Sequence, residues 1–409
     1  MRRARKSGGA GSTALRVLML LENSRFPGDS RVVQEAKTLV AAGCDVSVIS
    51  PRRTGQSWRE TVDGVRVYRF PAPVGSSGAA GYIYEYAGAM VAMFVISLAL
   101  CIRRNFDVVH AHNPPDTLFL IGAIYKAFGK RFVFDHHDLA PELYLARFGN
   151  QGNTAIYRTL VQLEKWSCSF ADQVIAANES HKILEMDRGG VPEKRITVVR
   201  NGPDLDLWQP TVPPLELGQG KRTVIAYGGV MGFQDGIDRL IKALRHLIHD
   251  LQRTDVICVI AGDGDALPSL KTLAADLSVD EYVIFTGWLE EELLVRTLAA
   301  SDICVEPVES NSYSDRSTMI KIMNYMALGK PVIAFDLPEH RFTAQDAAVY
   351  VQPNDEVALA AAIALLIDDP QRQNELGSLG RRRVEEELAW TYSAAALLQA
   401  YQNLETAAE

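Results

Sequence analysis

Short apolar runs alternate along the chain with longer segments in which apolar residues recur at helical spacing. The run "RVLMLL" precedes "DSRVVQEAKTLVAAG", where Asp29 or Ser30 is the expected N-cap and Gly43 the expected helix end. Further β-branched runs follow: "DVSVIS", "VRVYRF", "FDVVHAH", "RFVFDHHD", "QVIAAN" and "ITVVRNG". Continuous apolar strands that alternate with helices predict a parallel α/β sheet covered on both faces.

A break in this pattern divides the chain. The stretch "PDLDLWQPTVPPLELGQGK" is rich in Pro and Gly, and strand–helix alternation restarts at "TVIAYGG". The sequence therefore predicts two doubly wound, Rossmann-like parallel-sheet domains that face a cleft, with ligands beyond the carboxyl ends of the strands. The predicted limits are a flexible basic tail at 1–14, domains at 15–205 and 206–385, and a C-terminal helical segment at 386–409.

Composition narrows the function. The chain has 409 residues, 47% of them hydrophobic, which suffices for two cores. Its net charge of −8 argues against general nucleic-acid binding, which needs a basic face. The five cysteines form no C-x-x-C pair, so we expect reduced thiols, a cytoplasmic location and no zinc-binding cysteine motif.

One apolar segment has two interpretations. The stretch from Tyr82 to Arg104 carries no charge from Ala87 to Ile102, which is shorter than the about 20 residues that a membrane span needs. It is either a buried core helix or a helix that docks on an anionic membrane surface. Clustered tyrosines at one end, Arg103 and Arg104 at the other, and the basic tail favour docking.

The strand ends of the second half suggest a ligand. Three of them run into "GGVMG", "GDG" and "GWL", whose glycines allow close backbone approach. A fourth leads to "SDRSTMIKIMNYMALGKPVIAFD", in which a helix begins near Ser317. Unpaired first-turn amides there, with Arg316 before them and Lys321 one turn in, predict a diphosphate site. The alternative is an ordinary Ser/Thr N-cap with Lys321 in solvent.

The chain from about Arg16 to Leu404 resembles the family-4 glycosyltransferases of GT-B architecture, in the branch of bacterial polysaccharide and glycolipid assembly. The resemblance rests on "FPGDSRVVQEAKTLVAAGCDVSVISP", "FDVVHAHNPPDTL", "VFDHHDLAPELY", "VVRNGPDLDLW", "YGGVMGFQDGIDRLIKAL", "IAGDGD", "FTGWLEEELL" and "STMIKIMNYMALGKPVIAFD". It implies a retaining transfer from a nucleotide-diphosphate sugar without a bound metal or other cofactor. It also implies a donor site on the C-terminal domain, an acceptor site on the N-terminal domain, and a last helix that crosses back to the latter.

Departures from the family pattern stand at four positions. Asn324 occupies the place of a glutamate that holds the donor ribose, and Arg316 the place of a second glutamate eight positions earlier. Val230 and Asp235 occupy the places of an Arg and a Lys that grip the phosphates. Arg316, Lys321 or Arg200 must then neutralise the leaving group.

The strand-end pattern and the resemblance together give the candidate site residues. The catalytic candidates are His112, Arg316 and Lys321, with His112 as a sugar contact or a structural residue. Donor-binding candidates are Arg200, Asn201, Gly229, Met231, Gly232, Gly262, Gly264, Trp288, Leu289, Ser317, Thr318, Met319 and Asn324. Acceptor-binding candidates are Glu22, Asn23, Asp29, Arg31, His137, Asp138 and Glu142. No metal site is predicted, because His136, His137 and Asp138 are adjacent on an extended chain and point to opposite faces.

The predicted function is transfer of a hexosyl or N-acetylhexosaminyl group from a UDP-sugar, or a GDP-sugar, to a lipid-linked or other glycan acceptor. The enzyme is expected in the cytoplasm, with peripheral contact to the inner face of the cell membrane and no nucleic-acid partner. Because of the departures at Val230, Asp235 and Asn324, the alternative hypothesis is a catalytically impaired, glycosyltransferase-like binding subunit. A sugar-nucleotide isomerase on the same fold is a minor third hypothesis. The sequence does not specify the sugar, the base, the acceptor or the linkage.

Overall fold

The computed structural model describes residues 14–71, 79–149, 152–217 and 222–406, apart from the side chains of 79–85 and 405–406. The predicted basic tail, except its last residue, and the side chains of Tyr82 and Tyr84 lie outside this description. The strands are β1 (Arg16–Leu21), β2 (Asp45–Arg52), β3 (Arg59–Val62), β4 (Val65–Pro71), β5 (Val108–His112), β6 (Arg131–His136), β7 (Gln173–Ala176), β8 (Ile196–Val198), β9 (Thr223–Gly228), β10 (Val256–Ala261), β11 (Val283–Gly287), β12 (Ile303–Glu306), β13 (Val332–Phe335) and β14 (Ala348–Val351).

Helices connect these strands, as the alternating pattern predicts. They are α1 (Ser30–Ala41), α2 (Ala79–Arg103), α3 (Phe119–Ala127), α4 (Ala140–Phe148), α5 (Thr154–Phe170), α6 (Glu179–Asp187), α7 (Ile237–Arg245), α8 (Leu267–Asp276), α9 (Glu291–Ala299), α10 (Ile320–Ala327), α11 (Pro338–Ala344), α12 (Glu356–Ile367), α13 (Pro370–Arg383) and α14 (Trp390–Thr406). The Asp29 side chain accepts a hydrogen bond from the Val32 amide, so the predicted N-cap of α1 is confirmed.

The strands form two sheets. The order is β3-β4-β2-β1-β5-β6-β7-β8 in the first and β11-β10-β9-β12-β13-β14 in the second. The β3–β4 pair is antiparallel, whereas the β4–β2–β1–β5–β6 ladder and the second sheet are parallel. The prediction of two doubly wound α/β domains is confirmed.

Two compact units describe how the chain packs. Unit 1 contains Met1–His137, Trp166–Ile175 and Leu397–Glu409, and unit 2 contains Asp138–Lys165 and Ala176–Ala396. The core of unit 2 includes strand residues such as Ile225, Val256 and Ile333 together with helix residues such as Leu240. The first sheet ends at Val198 and the second begins at Thr223. The predicted domain limits remain a prediction. They keep residues 15–205 in one domain, whereas Asp138–Lys165 belongs to unit 2.

Helix α2 combines features of both interpretations of the apolar segment. Its Ser97 hydroxyl forms a 2.8 Å hydrogen bond with the Tyr125 hydroxyl of α3, so one face packs on the protein. Only 22% of the helix segment from Tyr86 to Arg103 is buried, and the mean hydropathy of this segment is 1.9. Within the described residues it is the one helix with the length and composition to cross a membrane. The exposed apolar residues are Val91, Val95, Leu98 and Ile102.

Candidate active site

Glycine-rich loops follow β9, β10 and β11 at the carboxyl edge of the second sheet, as predicted. A Cβ added to Gly262 would lie 1.8 Å from the Gly229 carbonyl oxygen. One added to Gly264 would lie 2.5 Å from the Met231 carbonyl oxygen. These glycines therefore allow neighbouring loops to approach each other, which explains them without a ligand. The prediction that these loops contact the donor therefore depends on their position at the carboxyl edge of the second sheet.

The N-terminus of α10 lies at the same edge of the sheet. The helix begins at Ile320, a few residues later than predicted, and its N-cap Met319 makes no side-chain cap. The Thr318 hydroxyl instead donates to Glu339 Oε2 at 3.2 Å and accepts from Asn178 Nδ2 at 3.0 Å. The alternative of an ordinary Ser/Thr N-cap is therefore wrong. The amides of Ile320 and Lys321 have no intrahelical acceptor, which suits an anion.

Arg200 supports this helix N-terminus from the segment after β8. Its Nη1 lies 3.3 Å from the Thr318 hydroxyl oxygen and 3.5 Å from Glu339 Oε2. Its guanidinium carbon lies 4.1 Å from the centre of the Phe342 ring, a cation–π contact. The buried Arg200 Nη2 has no hydrogen-bond partner. An anion at the N-terminus of α10 would satisfy this donor.

Lys321 lies in a group that we call the lysine cluster, formed by the partly buried Lys321 and Asp235 and the fully buried Glu306 and Tyr227. Lys321 Nζ lies 3.4 Å from Asp235 Oδ1 and 3.5 Å from Glu306 Oε2. It also lies 5.1 Å from the centre of the Tyr227 ring. Sequence reasoning missed Glu306, although an acidic residue at the end of the apolar run "ICVE" was a signal.

Burial and charge shift the pKa values in this cluster. Burial raises the pKa of Glu306 to about 7, although Lys321 opposes the shift. Burial alone would lower the pKa of Lys321, but Glu306, Tyr227 and Asp235 outweigh it and hold that pKa well above its usual value. Lys321 is therefore a cation whose charge two carboxyl groups share.

The contacts of Asp235 show what this residue does in the place of the family's phosphate-binding lysine. Its Oδ2 accepts a hydrogen bond from the Gly232 amide at 2.9 Å, and its Oδ1 faces Lys321. A carboxylate at position 235 and a lysine at position 321 form an ion pair across the loop after β9. A cation is thus present at this edge, supplied by α10.

The remaining donor candidates differ in exposure. Arg316 is exposed, and its Nη1 donates to the Ser312 carbonyl oxygen at 2.9 Å. Trp288 is 61% exposed, whereas the Met231 side chain is fully buried in the core of unit 2. Only the backbone of Met231 can therefore meet a ligand. Partly exposed candidates are Asn201, Gly232, Gly264, Leu289, Ser317, Thr318, Met319 and Asn324.

A cavity of about 330 Å³ opens beside the loop after β9. Gly232, Phe233 and Gln234 form one wall, and Glu309 and Asn311 contribute to another. This places Gly232, a predicted donor contact, on the surface of a cavity of ligand size.

Unit 1 holds a second buried group, the imidazole–carboxylate cluster of Glu35, His110, His112 and Asp135. Arg31 binds Asp135, with Nη2 2.7 Å from Oδ1 and Nε 3.1 Å from Oδ2. His112 Nδ1 lies 3.2 Å from Asp135 Oδ2. Burial, and then the neighbouring His110, lower the pKa of His112 well below its usual value, so the ring is neutral. Arg31 and His112 are thus engaged inside the protein, and their ligand-binding roles remain predictions.

The other acceptor candidates lie in both units. In unit 2, Glu142 is buried and accepts from Arg188 Nη1 at 2.6 Å, while Asp138 Oδ1 accepts from the Tyr313 hydroxyl at 3.1 Å. In unit 1, His137 Nε2 lies 2.8 Å from Asp135 Oδ2. Glu22 is buried, Asn23 exposed, and Asp29 caps α1. The acceptor-binding roles of these residues remain predictions.

Comparisons with known families match both halves of the chain. A model described as "Glycosyl transferase 4-like domain" matches residues 29–202, and one described as "Glycosyl transferases group 1" matches residues 221–369. The chain belongs to the family-4-type glycosyltransferases. The sequence-based family prediction is confirmed, and the matched families and homologues are sugar-transferring enzymes, with structural neighbours of GT-B fold.

The chain is similar to individual proteins with different names, one found by sequence and two by structure. A GDP-mannose-dependent monoacylated α-(1-6)-phosphatidylinositol monomannoside mannosyltransferase from Corynebacterium glutamicum is 28% identical over 256 residues, which is 60% of this chain and 61% of the relative. Sucrose-phosphate synthase from Thermosynechococcus elongatus has a TM-score of 0.78 at 19% identity, covering 96% of this chain and 100% of that one. HepE from Anabaena in complex with UDP-glucose has a TM-score of 0.70 at 17% identity, with 96% and 100% covered.

Proposed function

We propose that this glycosyltransferase performs a metal-independent, retaining transfer of a hexosyl or N-acetylhexosaminyl group from a nucleotide-diphosphate sugar to a lipid-linked or other glycan acceptor. One observation carries the proposal: the uncapped N-terminus of α10 and Lys321 lie at the carboxyl edge of the second sheet. Parallel α/β sheets bind nucleotides at this edge, and first-turn amides bind phosphate.

The donor diphosphate is assigned to the first turn of α10. The amides of Ile320 and Lys321 and the free Nη2 of Arg200 are its proposed donors of hydrogen bonds. Charge grows on the diphosphate as the glycosidic bond breaks through an oxocarbenium-like state, and preorganised amides and cations stabilise that charge. A phosphate oxygen of the donor takes the acceptor proton, so no general base on the protein is needed. No catalytic nucleophile is assigned.

The base of the nucleotide is proposed from relatives. HepE was solved with UDP-glucose, and the Corynebacterium glutamicum relative uses GDP-mannose. We favour a UDP-sugar and keep a GDP-sugar as the second candidate.

The acceptor is proposed to be lipid-linked because α2 presents an apolar face. Val91, Val95 and Ile102 are exposed on it, and Arg103 and Arg104 at its C-terminal end suit anionic headgroups. We therefore propose peripheral binding to the inner face of the cell membrane. Intact protein should co-sediment with vesicles that contain anionic lipid, and Val95→Glu should release it. The matched control is Val357→Glu on exposed α12 of unit 2. Failure of folded intact protein to bind would remove the reason for a lipid-linked acceptor.

The competing hypothesis is a binding subunit with impaired catalysis. It is favoured by the carboxylates that share the charge of Lys321 and by the amide at Asn324. Incubation with UDP-, GDP- and ADP-sugars, with membrane lipid extract as acceptor, separates the two. Nucleotide release and a glycosylated lipid show an enzyme, and nucleotide binding without release shows a binding subunit.

Metal independence is tested in the same assay. The strand-end pair Asp263 and Asp265 has the spacing of a divalent-cation site, and both residues are exposed. Asp263 Oδ1 accepts from the Gly264 amide at 2.8 Å. We expect turnover to persist in excess EDTA and in Asp263→Asn. Loss of turnover in EDTA that Mg²⁺ or Mn²⁺ restores would contradict metal independence.

A further inference from the structure

The imidazole–carboxylate cluster has a feature that glycosyl transfer does not require. Within the described residues, it is the one group of metal-ligating side chains whose ligand atoms gather, with one atom from each residue within 4.8 Å of the others. All four side chains are fully buried. They come from three elements, since Glu35 lies on α1, His110 and His112 on β5, and Asp135 on β6.

The distances inside the cluster are too long for direct hydrogen bonds at most edges. His110 Nε2 lies 3.8 Å from Glu35 Oε2 and 3.7 Å from Asp135 Oδ2. His112 Nδ1 lies 3.8 Å from Glu35 Oε2 and 3.2 Å from Asp135 Oδ2. Tetrahedral zinc with ligands at about 2.0–2.1 Å sets ligand–ligand edges near 3.3–3.4 Å. The observed edges are close to this value and need only a small contraction.

Hydrogen bonds leave the inward-facing atoms of Glu35 and His110 unsatisfied, whereas His112 Nδ1 and Asp135 Oδ2 lie 3.2 Å and 2.8 Å from His137 Nε2. Neither carboxyl oxygen of Glu35 has a hydrogen-bond partner, and His110 Nε2 has none. His110 Nδ1 lies 2.9 Å from the Tyr401 hydroxyl. If Nδ1–H donates to that hydroxyl, a lone pair on Nε2 faces the two carboxyl groups, which is the arrangement of a metal-ligating histidine.

Charge balance also favours a cation. Arg31 compensates one of the two carboxylates, because it binds Asp135 and its Nε lies 3.1 Å from Glu35 Oε1. A metal ion satisfies the charge and the unpaired atoms together.

We propose that Glu35, His110, His112 and Asp135 bind one divalent transition-metal ion, with zinc the best match to two imidazoles and two carboxylates. The ion is a structural clamp that joins α1, β5 and β6, and it takes no part in sugar transfer. The adjacent pair His136 and His137, considered from the sequence, is not the site. The fold brings together residues that lie far apart in the sequence.

Metal analysis of the full-length chain tests the site. The protein is dialysed against a strong chelator, desalted, given zinc, and passed through gel filtration before its metal content is measured. We expect about one zinc per chain, a higher melting temperature with zinc than without, and a tetrahedral absorption spectrum when cobalt replaces zinc. Folded wild-type protein that retains no zinc or cobalt after this treatment would overturn the proposal.

Matched variants identify the ligands. Glu35→Gln keeps the shape of the side chain and should abolish stoichiometric zinc binding. Tyr401→Phe removes only the hydroxyl beside His110, and we expect about 10–100-fold weaker zinc binding in a folded protein. His246→Gln alters an exposed His–Asp pair elsewhere and should bind zinc as the wild type does. Wild-type affinity in both Glu35→Gln and Tyr401→Phe would show that the bound zinc lies at another place, which contradicts the assignment.

Discussion

The two units each bury a charged cluster at the carboxyl ends of parallel strands, but they hold the cation differently. In unit 1, Arg31 donates to both oxygens of the Asp135 carboxylate, from Nη2 to Oδ1 at 2.7 Å and from Nε to Oδ2 at 3.1 Å. In unit 2, Lys321 Nζ lies 3.4 and 3.5 Å from its two carboxyl partners. The guanidinium is fixed in a two-bond geometry, whereas the ammonium stands between two partners at longer distance.

This difference separates a structural cluster from a candidate binding cluster. A two-bond guanidinium–carboxylate pair has no charge to offer a ligand without losing its own bonds. A lysine shared by two carboxyl groups, one with a pKa raised to about 7, can turn to an incoming phosphate. We therefore propose that the cluster of unit 1 stabilises the fold and that the cluster of unit 2 binds the donor.

The largest expected effect is on stability, from loss of Arg31. Arg31→Met leaves the buried carboxylate of Asp135 without its guanidinium partner, and we expect the free energy of unfolding to fall by about 3–5 kcal/mol. Lys321→Met should cost less, because Glu306 can take up a proton. Urea unfolding measures both variants. Arg16→Met breaks a partly exposed ion pair with Asp107 and is the control, with an expected cost of about 0–1 kcal/mol. Equal losses in the free energy of unfolding for Arg31→Met and Lys321→Met would contradict the proposed difference between the two clusters.

The second effect is on donor binding, from loss of Lys321. A charge-assisted bond to phosphate contributes roughly 1.5–3 kcal/mol, so Lys321→Ala should weaken UDP or GDP binding by about one to two decades. Arg316→Ala should weaken it less, since Arg316 is exposed. Titration calorimetry gives the affinities, with Lys242→Ala on α7, whose lysine pairs with Asp238, as control. Unchanged affinity in both single variants and in the double variant would exclude these residues from the donor site.

The third effect is a pH dependence set by Glu306. As pH falls through about 7, Glu306 takes up a proton and the lysine cluster loses a negative charge. Nucleotide affinity should then rise, by at most about tenfold per pH unit. Because the pKa in the folded state lies above that of a free carboxyl group, the stability contributed by Glu306 is present at low pH and is lost as pH rises through about 7.

Glu306→Gln is the matched variant for this pH dependence. It should flatten the affinity profile between about pH 6 and 8 and the stability profile between about pH 5 and 7, because the pKa of Glu306 is about 7 in the folded protein and lower in the unfolded chain. The titration of the nucleotide phosphate is common to both proteins, so the difference between their profiles isolates Glu306. Identical profiles for wild type and variant would show that Glu306 does not titrate in this range.

The smallest expected effect comes from Asn324, the proposed ribose contact. Asn324→Glu exchanges an amide for a carboxylate that can accept a charge-assisted hydrogen bond from a ribose hydroxyl. We expect UDP or GDP affinity to rise a few-fold, on the order of 1 kcal/mol, in calorimetric titration. Abolished binding would mean that the nucleotide site has diverged from the family arrangement.

The sequence predicted the repeating elements well, because strands buried on both faces are continuous apolar runs. The cap at Asp29, the helix at "DSRVVQEAKTLVAAG" and most strands needed only local information. It missed β3, which is short and polar at an edge, and α4, which contains the acceptor candidate Glu142.

The candidate sites were predicted less completely, because they depend on contacts between distant residues. Lys321 and Asp235 were singled out separately, but their ion pair spans 86 positions of the chain. Arg31 was interpreted as an acceptor contact, yet its partner Asp135 lies 104 positions away. No local pattern reveals such pairs, and the same limit hid Glu35 and Glu306.

We propose that the donor diphosphate binds at the N-terminus of α10. A crystal structure of the full-length protein with UDP or GDP tests it most directly. The account predicts phosphate oxygens within hydrogen-bond distance of the amides of Ile320 and Lys321, with Lys321 Nζ turned from Glu306 towards the phosphate. A nucleotide whose diphosphate lies away from α10, with the contacts of Lys321 to Asp235 and Glu306 unchanged, would contradict it.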